Sequence, residues 1–422
     1  MKKTMYKDIL ILGAALFAMF FGAGNMIFPP YMGLEGGNEW FGGFMGYFIA
    51  DIGLAVIAII AQIRKESFDD MLKPLGKVMS LAMMWSIVLC LGPVITVPRT
   101  AATTYELMPY IQGINKYLFY GIFFLIVAIL CINKSKVVDI VGKILTPLLF
   151  GGLILIIILG IINPLGEIAP NPKTDTLIAS GIEAGYQSMD VLAATLLGVL
   201  IINGARQRGY KSHRDITKVT VGAGIIAAVG LFIIYMGLTY LGATVSQMYD
   251  MHTSKSVLLT NIVKGLIPGN YGHIFFGVIA ALACLSTAIA LVSSSCEYIQ
   301  RLIKGKLGYK SLVILVCVIS TFTASLGVEK LITFASPVLN IVYPPVLTTV
   351  ILSLFGERIG RYTLRLGVMM SFFFSILQVV YGYSLEILRI MPFFELGFGW
   401  LMPAAVFSAL GFILDKVSSK QD

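Results

Sequence analysis

The sequence predicts an all-α integral membrane protein with twelve transmembrane helices, and three observations carry that prediction. Hydrophobic residues make up 57% of the chain and charged residues only 13%, about half the roughly 25% charged share of a soluble domain. Apolar runs bounded by glycine, proline and charge recur twelve times. Twelve helices of about 20 residues, the length that crosses a bilayer, leave short loops and no large soluble domain in 422 residues. The third observation is how the basic residues divide between the two faces that such spans create.

In order, the runs cover 8–29, 41–62, 77–98, 116–133, 138–162, 184–205, 217–242, 272–297, 310–328, 331–355, 366–385 and 396–414. The first follows Lys2-Lys3 and imitates a signal peptide. It continues to Phe28 and ends at Pro29-Pro30 without a convincing small-x-small cleavage site, so it reads as an uncleaved span. The second carries Asp51 within an otherwise apolar stretch, and the third closes on Pro98 and Arg99. If the N-terminus is cytoplasmic, only Arg99, Lys116, Lys173, Lys255, Lys264, Lys330 and Arg389 of the 31 basic residues fall on the opposite side. Positive charge gathers on cytoplasmic loops, and one missed helix would exchange the sides downstream of it. Both termini are therefore expected in the cytoplasm.

The net charge of +9 is scattered between apolar runs, which excludes the basic arm or stripe of a nucleic-acid binder. Cys90, Cys131, Cys284, Cys296 and Cys317 lie in or beside apolar runs without a CxxC pair, and read as small core residues rather than a disulfide or metal set.

Function is sought where the helices break, because an interrupted helix inside lipid is tolerated only beside protein or a wet cavity. The first run contains Gly22-Ala23-Gly24-Asn25. The glycines either unwind the helix and expose amides or allow close helix packing. The sixth contains Gly185-Tyr186-Gln187-Ser188-Met189-Asp190. Asp190 is either a helix N-cap or the carboxylate of a pathway or binding site. Runs one and six are corresponding members of two five-helix halves of opposite topology. Paired interruptions in such halves point to a transporter site at the midplane of an inverted repeat. The expected organisation is a first repeat over 1–162, a second over 163–355, and two further helices with a cytoplasmic tail over 356–422. In the eighth run, Ser286 and Thr287 offer adjacent hydroxyls that either bond back to the preceding turn or ligate a small cation.

Three long strings then resemble one family, over nearly the whole length. They are Phe20-Phe21-Gly22-Ala23-Gly24-Asn25-Met26-Ile27-Phe28-Pro29-Pro30, Gly92-Pro93-Val94-Ile95-Thr96-Val97-Pro98-Arg99-Thr100, and Gly185 to Asp190. The chain resembles the bacterial branched-chain amino acid:cation symporters, the BrnQ-type carriers, which are similar in fold to LeuT-type transporters. The resemblance implies leucine, isoleucine and valine as cargo and cation symport into the cell. It puts the cargo carboxylate against Ala23 and Gly24, and Asn25 near a cargo-linked ion. It also puts the carbonyls of Ala18 and Phe21, with Ala283, Ser286 and Thr287, around a second sodium position. Tyr186, Gln187, Ser188 and Asp190 fall near the substrate. LeuT-type carriers have an outer-gate arginine shortly after the first-span asparagine, and Met26 to Pro30 contains none. Arg99 either substitutes as the gate or snorkels at the interface. Asp51 has no counterpart in that pattern, and either pairs with a neighbouring helix or faces a wet vestibule.

The hydroxyl pair favours Na⁺ as coupling ion, whereas Lys143 is a candidate titrating surrogate if protons drive the carrier. An intramembrane enzyme finds no support in the motifs: HExxH is absent, and His213, His252 and His273 lie in loops or at span ends. A passive channel or nutrient sensor remains a rival built on the same helices.

Overall fold

The structure, a computed structural model, describes residues 2–65, 67–111, 113–132, 145–356, 359–384 and 390–418. Each of the twelve apolar runs carries helix. Those of the first half are α1 (Lys2–Phe20), α2 (Ala23–Gly36), α3 (Trp40–Phe48), α4 (Leu54–Lys65), α5 (Phe68–Leu72), α6 (Lys77–Leu89), α7 (Thr96–Glu106), α8 (Lys116–Cys131) and α9 (Thr146–Ile162). There follow α10 (Leu177–Ser188), α11 (Asp190–Gln207), α12 (His213–Ala243), α13 (Lys255–Leu266), α14 (Asn270–Leu302), α15 (Tyr309–Ala324), α16 (Val328–Ser353), α17 (Arg361–Tyr381) and α18 (Leu401–Ser418). Among the described residues, seven continuous helical stretches are long and apolar enough to cross a membrane, or eight when α10 and α11 count as one bent span. Lys143 and the start of the fifth run, residues 138–144, lie outside the described residues.

The outward faces are apolar, as lipid requires. Leu118, Ile122, Leu125 and Ile129 repeat along one side of α8 and are exposed, as are Phe373 and Val380 of α17 and Ile413 of α18. In water such a belt would be an aggregation surface; against hydrocarbon it is the solvated face. The most enclosed long helix is α14, and α1, α7, α8, α9, α11 and α15 pack around it. All five cysteines are buried and free of disulfides.

Two expected boundaries move. The first run does not end at Pro29-Pro30, because α2 carries both prolines and continues to Gly36. A proline inside a helix leaves a carbonyl without its donor, and close packing supports the helix here: a Cβ on Gly242 of α12 would fall 1.8 Å from the Pro30 carbonyl oxygen, and one on Gly33 would fall 1.9 Å from that of Thr239. Only small residues permit this crossing. The third run does not end at Pro98 either. The chain passes through a wide turn over Cys90–Val94, with Gly92 at φ −86°, ψ −122°. It restarts as α7 at Thr96, so that Pro98 lies in a first turn, where its missing N–H has no helical partner to lose. Arg99 is therefore carried inside the span rather than to its outer end. A second wide turn, Ile49–Gly53, holds Asp51 between α3 and α4.

Candidate functional site: two helix breaks around Asn25

The first break is the pair Phe21-Gly22 between α1 and α2. Gly22 is extended (φ −119°, ψ −157°), and its N–H donates to Asn25 Oδ1 at 3.2 Å. A helix that stops releases its last carbonyls, and α14 takes them. Ser286 donates to the Ala18 carbonyl at 2.7 Å and to the Ala283 carbonyl at 2.8 Å, while Thr287 donates to the Met19 carbonyl at 3.0 Å. A Cβ on Gly22 would meet Thr287 Oγ1 at 2.9 Å, so glycine at this position is what admits α14 to the break.

The second break is Met189, left-handed at φ 68°, where α10 and α11 bend by 41°. For a side chain with a Cβ this conformation costs roughly 1–2 kcal/mol, and the surroundings hold it. Arg99 donates from Nη1 to the Gln187 carbonyl at 2.6 Å and from Nη2 to the Ser188 carbonyl at 3.4 Å. Thr96 donates to the Met189 sulfur at 2.9 Å. Arg99 is only 1% exposed, so it bridges a break in the protein interior and does not snorkel.

Asn25 joins the two breaks. Its amide nitrogen lies 3.0 Å from Asp190 Oδ2, 3.2 Å from Asp51 Oδ2 and 2.5 Å from the Tyr235 hydroxyl. Ser188 donates to Asp51 Oδ1 and, at 2.5 Å, to the Gly185 carbonyl. Both carboxyls are buried, and among the described residues neither is ion-paired to a basic side chain. Two like charges in a site of low dielectric cannot both stand uncompensated. The arrangement calls for positive charge beside the nearby Arg99: a cation, an ammonium or a proton.

A central cavity of about 10 Å³ lies here, lined by Gly22, Ala23, Gly24, Asn25, Thr96, Arg99, Ser188, Asp190 and Thr287 among others. That is room for about one water, so the centre is closed. On one side of it a pocket of about 90 Å³ includes Asp69, Asn203 and Arg301. On the other, cavities of about 310 and 510 Å³ share Ser180, Glu183 and Ser336.

Of the residues expected at the substrate, Ala23, Gly24, Asn25, Ser188 and Asp190 line this centre. Tyr186 and Gln187 do not. Tyr186 stacks on Tyr343 with ring centroids 4.3 Å apart and lines the 510 Å³ cavity, and Gln187 lines the 310 Å³ one. Of the second sodium set, Ala18, Ala283, Ser286 and Thr287 come together, but Thr287 reaches Met19 rather than Phe21. Of the two alternatives for Asp51, the structure shows the pairing, with Asn25 of a neighbouring helix; Tyr235 joins the same amide with no mark in the sequence, since a tyrosine in an apolar helix carries no signal of its own.

The family described as branched-chain amino acid transport protein matches residues 5–418. The chain belongs to that family. This carrier is 34% identical to the branched-chain amino acid permease BraB of Bacillus subtilis (strain 168), over 97% of this chain and 95% of that one. It is 31% identical to a putative branched-chain amino acid carrier protein of Staphylococcus aureus (strain USA300), over 99% and 98%. Membership of that family makes it a carrier rather than an enzyme. Its fold is similar to that of a Na⁺-coupled sialic acid symporter in a substrate-bound outward-open state (TM-score 0.66, 17% identity, 96% of this chain and 90% of that one). It is also similar to Mhp1, a nucleobase-cation-symport-1 family transporter (0.65, 16%, 96% and 92%), and to MhsT in complex with L-phenylalanine (0.57, 18%, 96% and 98%). The LeuT-like fold expected of the carrier is the one these likenesses support.

Proposed function

We propose that this carrier moves leucine, isoleucine and valine into the cell by sodium-coupled symport, through alternating access to the closed centre between α1/α2 and α10/α11. On this reading the twelve apolar runs are twelve spans, and residues 1–162 and 163–355 are inverted repeats. The broken α1/α2 and α10/α11 are their corresponding members, residues 356–422 add two helices and a tail, and both termini are cytoplasmic.

The observation that carries the sodium assignment is the neutral hydroxyl pair on the carbonyls freed where α1 stops. Oxygen dipoles that already converge can turn onto a small hard cation at little cost, and Ala18, Ala283, Ser286 and Thr287 supply them, with Phe21 adjacent. A zwitterionic cargo would put its carboxylate against the amides that open α2, at Ala23 and Gly24, where a helix N-terminus favours negative charge. Its ammonium would face Asn25 and Asp190, with Ser188 beside them. That ammonium supplies part of the positive charge which Asp51 and Asp190 demand, and a cargo-linked ion near Asn25 supplies the rest. One methylene is worth only about 1–3 kcal/mol in such a pocket, so discrimination among the three cargoes should be weak.

A proton-coupled reading is the second to weigh, because a buried carboxyl pair can also be neutralised by a proton. Leucine uptake by proteoliposomes under an imposed sodium gradient, compared with a proton gradient, decides between them. Sodium-driven accumulation is the expected result; uptake driven by protons and indifferent to sodium overturns the sodium assignment. Binding without flux would make the protein a sensor.

A further inference from the structure

A groove of about 820 Å³ lies between α6, α16 and α17, and neither helix break contributes to its lining. Its walls are apolar: Met79 and Met83 come from α6, Val342 and Pro345 from α16, and Met369 and Phe373 from α17. Met369 and Phe373 are exposed, so the groove is open to the lipid side of the bundle. Three polar side chains line it. Ser86 is satisfied within its own helix, donating to the Ala82 carbonyl at 2.9 Å. The other two, Lys77 and Arg365, are both cations. Lys77 opens α6, and Arg365 lies one turn into α17. Arg365 is held in place: its Nε donates to the Pro74 carbonyl at 2.7 Å, and a Cβ on Gly76 would fall 3.3 Å from its Nη2. Among the described residues no carboxylate pairs with either cation, and Asp70, the acid nearest to Lys77 in sequence, is taken by Lys73. One end of an apolar groove therefore carries two positive charges that the protein does not compensate.

We propose that this groove holds an anionic phospholipid, with its phosphate on Lys77 and Arg365 and an acyl chain against Met79, Met83, Met369 and Phe373. Flexible thioethers make an adaptable wall for a flexible chain. A planar guanidinium beside an ammonium suits a phosphate, which takes paired contacts from the first and a point charge from the second. Basic pockets between membrane helices recognise phosphate head groups by the same chemistry. A zwitterionic phospholipid carries its own cation beside the phosphate and gains less from two more. A water-soluble phosphate would meet the cations and leave the apolar walls unused. The lipid-facing stripe of α8 makes the contrast: Leu118 and Leu125 are exposed along it, but Lys116 at its start is engaged, donating to the Ser325 carbonyl at 3.1 Å. That stripe offers hydrocarbon contact alone, whereas the groove offers hydrocarbon contact and uncompensated charge together.

The test is photolabelling of the purified full-length carrier in detergent micelles by a phosphatidylglycerol that bears a diazirine on one acyl chain. Labelling should saturate, map to α6 and α17, and be displaced by unlabelled phosphatidylglycerol but not by phosphatidylcholine or glycerol 3-phosphate. Each basic residue contributes about fivefold to the attraction of an anionic head group. Lys77→Met and Arg365→Met should therefore each raise the half-saturating phosphatidylglycerol concentration about fivefold. Lys77→Arg, which keeps the charge, should stay near wild type. Arg365 also supports the Pro74 carbonyl, so Lys77→Met is the variant that separates lipid binding from folding. Labelling of α8 as strong as that of α6 and α17, equal displacement by phosphatidylcholine, or an unchanged half-saturation in Lys77→Met would each mean bulk lipid contact and overturn the proposal. Displacement by glycerol 3-phosphate at the concentration that suffices for phosphatidylglycerol would overturn it too, because the groove would then bind a phosphate and not a lipid.

Discussion

The two helix breaks solve the same problem with different chemistry. Where α1 stops, the freed carbonyls of Ala18 and Met19 receive the neutral hydroxyls of Ser286 and Thr287. At Met189, the carbonyls of Gln187 and Ser188 receive the guanidinium of Arg99. A hydroxyl can rotate away and let its own oxygen face a cation; a guanidinium presents only donors and stays charged. The first break is therefore exchangeable and the second permanently neutralised; on the proposed reading the ion sits beside α1, and the α10/α11 side serves structure and the cargo.

The largest effect should come from the permanent side. Arg99→Met leaves two buried carbonyls without donors and removes the basic group beside Asp190. Leaving a buried carbonyl unsatisfied costs about 1–3 kcal/mol, so with two of them leucine uptake per inserted carrier should fall about 100-fold. Arg99→Lys should not restore it, because one ammonium cannot reproduce the two-pronged contact. Normal uptake by the lysine variant would show that the fork is not needed, and the contrast between the breaks would collapse. The exchangeable side should behave differently. Ser286→Ala combined with Thr287→Ala should raise the sodium concentration for half-maximal uptake about tenfold, the scale of losing charge-assisted ligation, and leave the leucine KM in saturating sodium within about twofold. An equal rise in the leucine KM would mean that the two functions are not divided between the breaks.

Between these lies the carboxyl pair. Asp190 lines the central cavity and Asp51 does not, although both touch the Asn25 amide. Asp190→Asn should therefore raise the leucine KM about tenfold with expression intact, whereas Asp51→Asn, one layer behind, should raise it only a few-fold. The reverse order would place the ammonium on Asp51. Normal kinetics in Asp190→Asn would remove the second break from cargo recognition altogether.

What could be read from the sequence followed from backbone chemistry. Gly22 and Gly24 announce a break because few residue types give the chain that freedom. Ser286 and Thr287 announce partners for freed carbonyls once a broken helix stands opposite. Asp190 and Asp51 announce themselves because charge inside an apolar run is expensive. What stayed hidden depended on depth and packing. Pro98 reads as the end of a span, and only the turn at Cys90–Val94 reveals it as the start of another helix, which carries Arg99 into the interior and away from the membrane edge. The Pro29-Pro30 boundary failed for a related reason: the glycines that keep α2 going past it, Gly33 and Gly242, are more than 200 residues apart in sequence and meet only in the fold. α13 gives no apolar run, yet it delivers Lys255 to the 310 Å³ cavity.

The smallest effects should sort the breaks most cleanly, because they move a methyl group and no charge. A Cβ at Gly22 would meet Thr287 Oγ1 at 2.9 Å, whereas one at Gly24 would meet Arg99 Nη2 at 3.1 Å and the Ser188 Cα at 3.2 Å. The φ of Gly22 is ordinary for alanine, so Gly22→Ala acts by displacing the hydroxyl and not by backbone strain. It should raise the sodium requirement a few-fold with little change in leucine affinity. Gly24→Ala presses on the guanidinium and on the α10 backbone, so it should raise the leucine KM a few-fold at unchanged sodium dependence. Overpacking of one methyl into a tight contact costs about 1–3 kcal/mol, enough to read by uptake kinetics. If both substitutions shift both parameters together, the breaks act as one rigid unit, and the hydroxyls of α14 and the guanidinium of Arg99 are two halves of a single clamp.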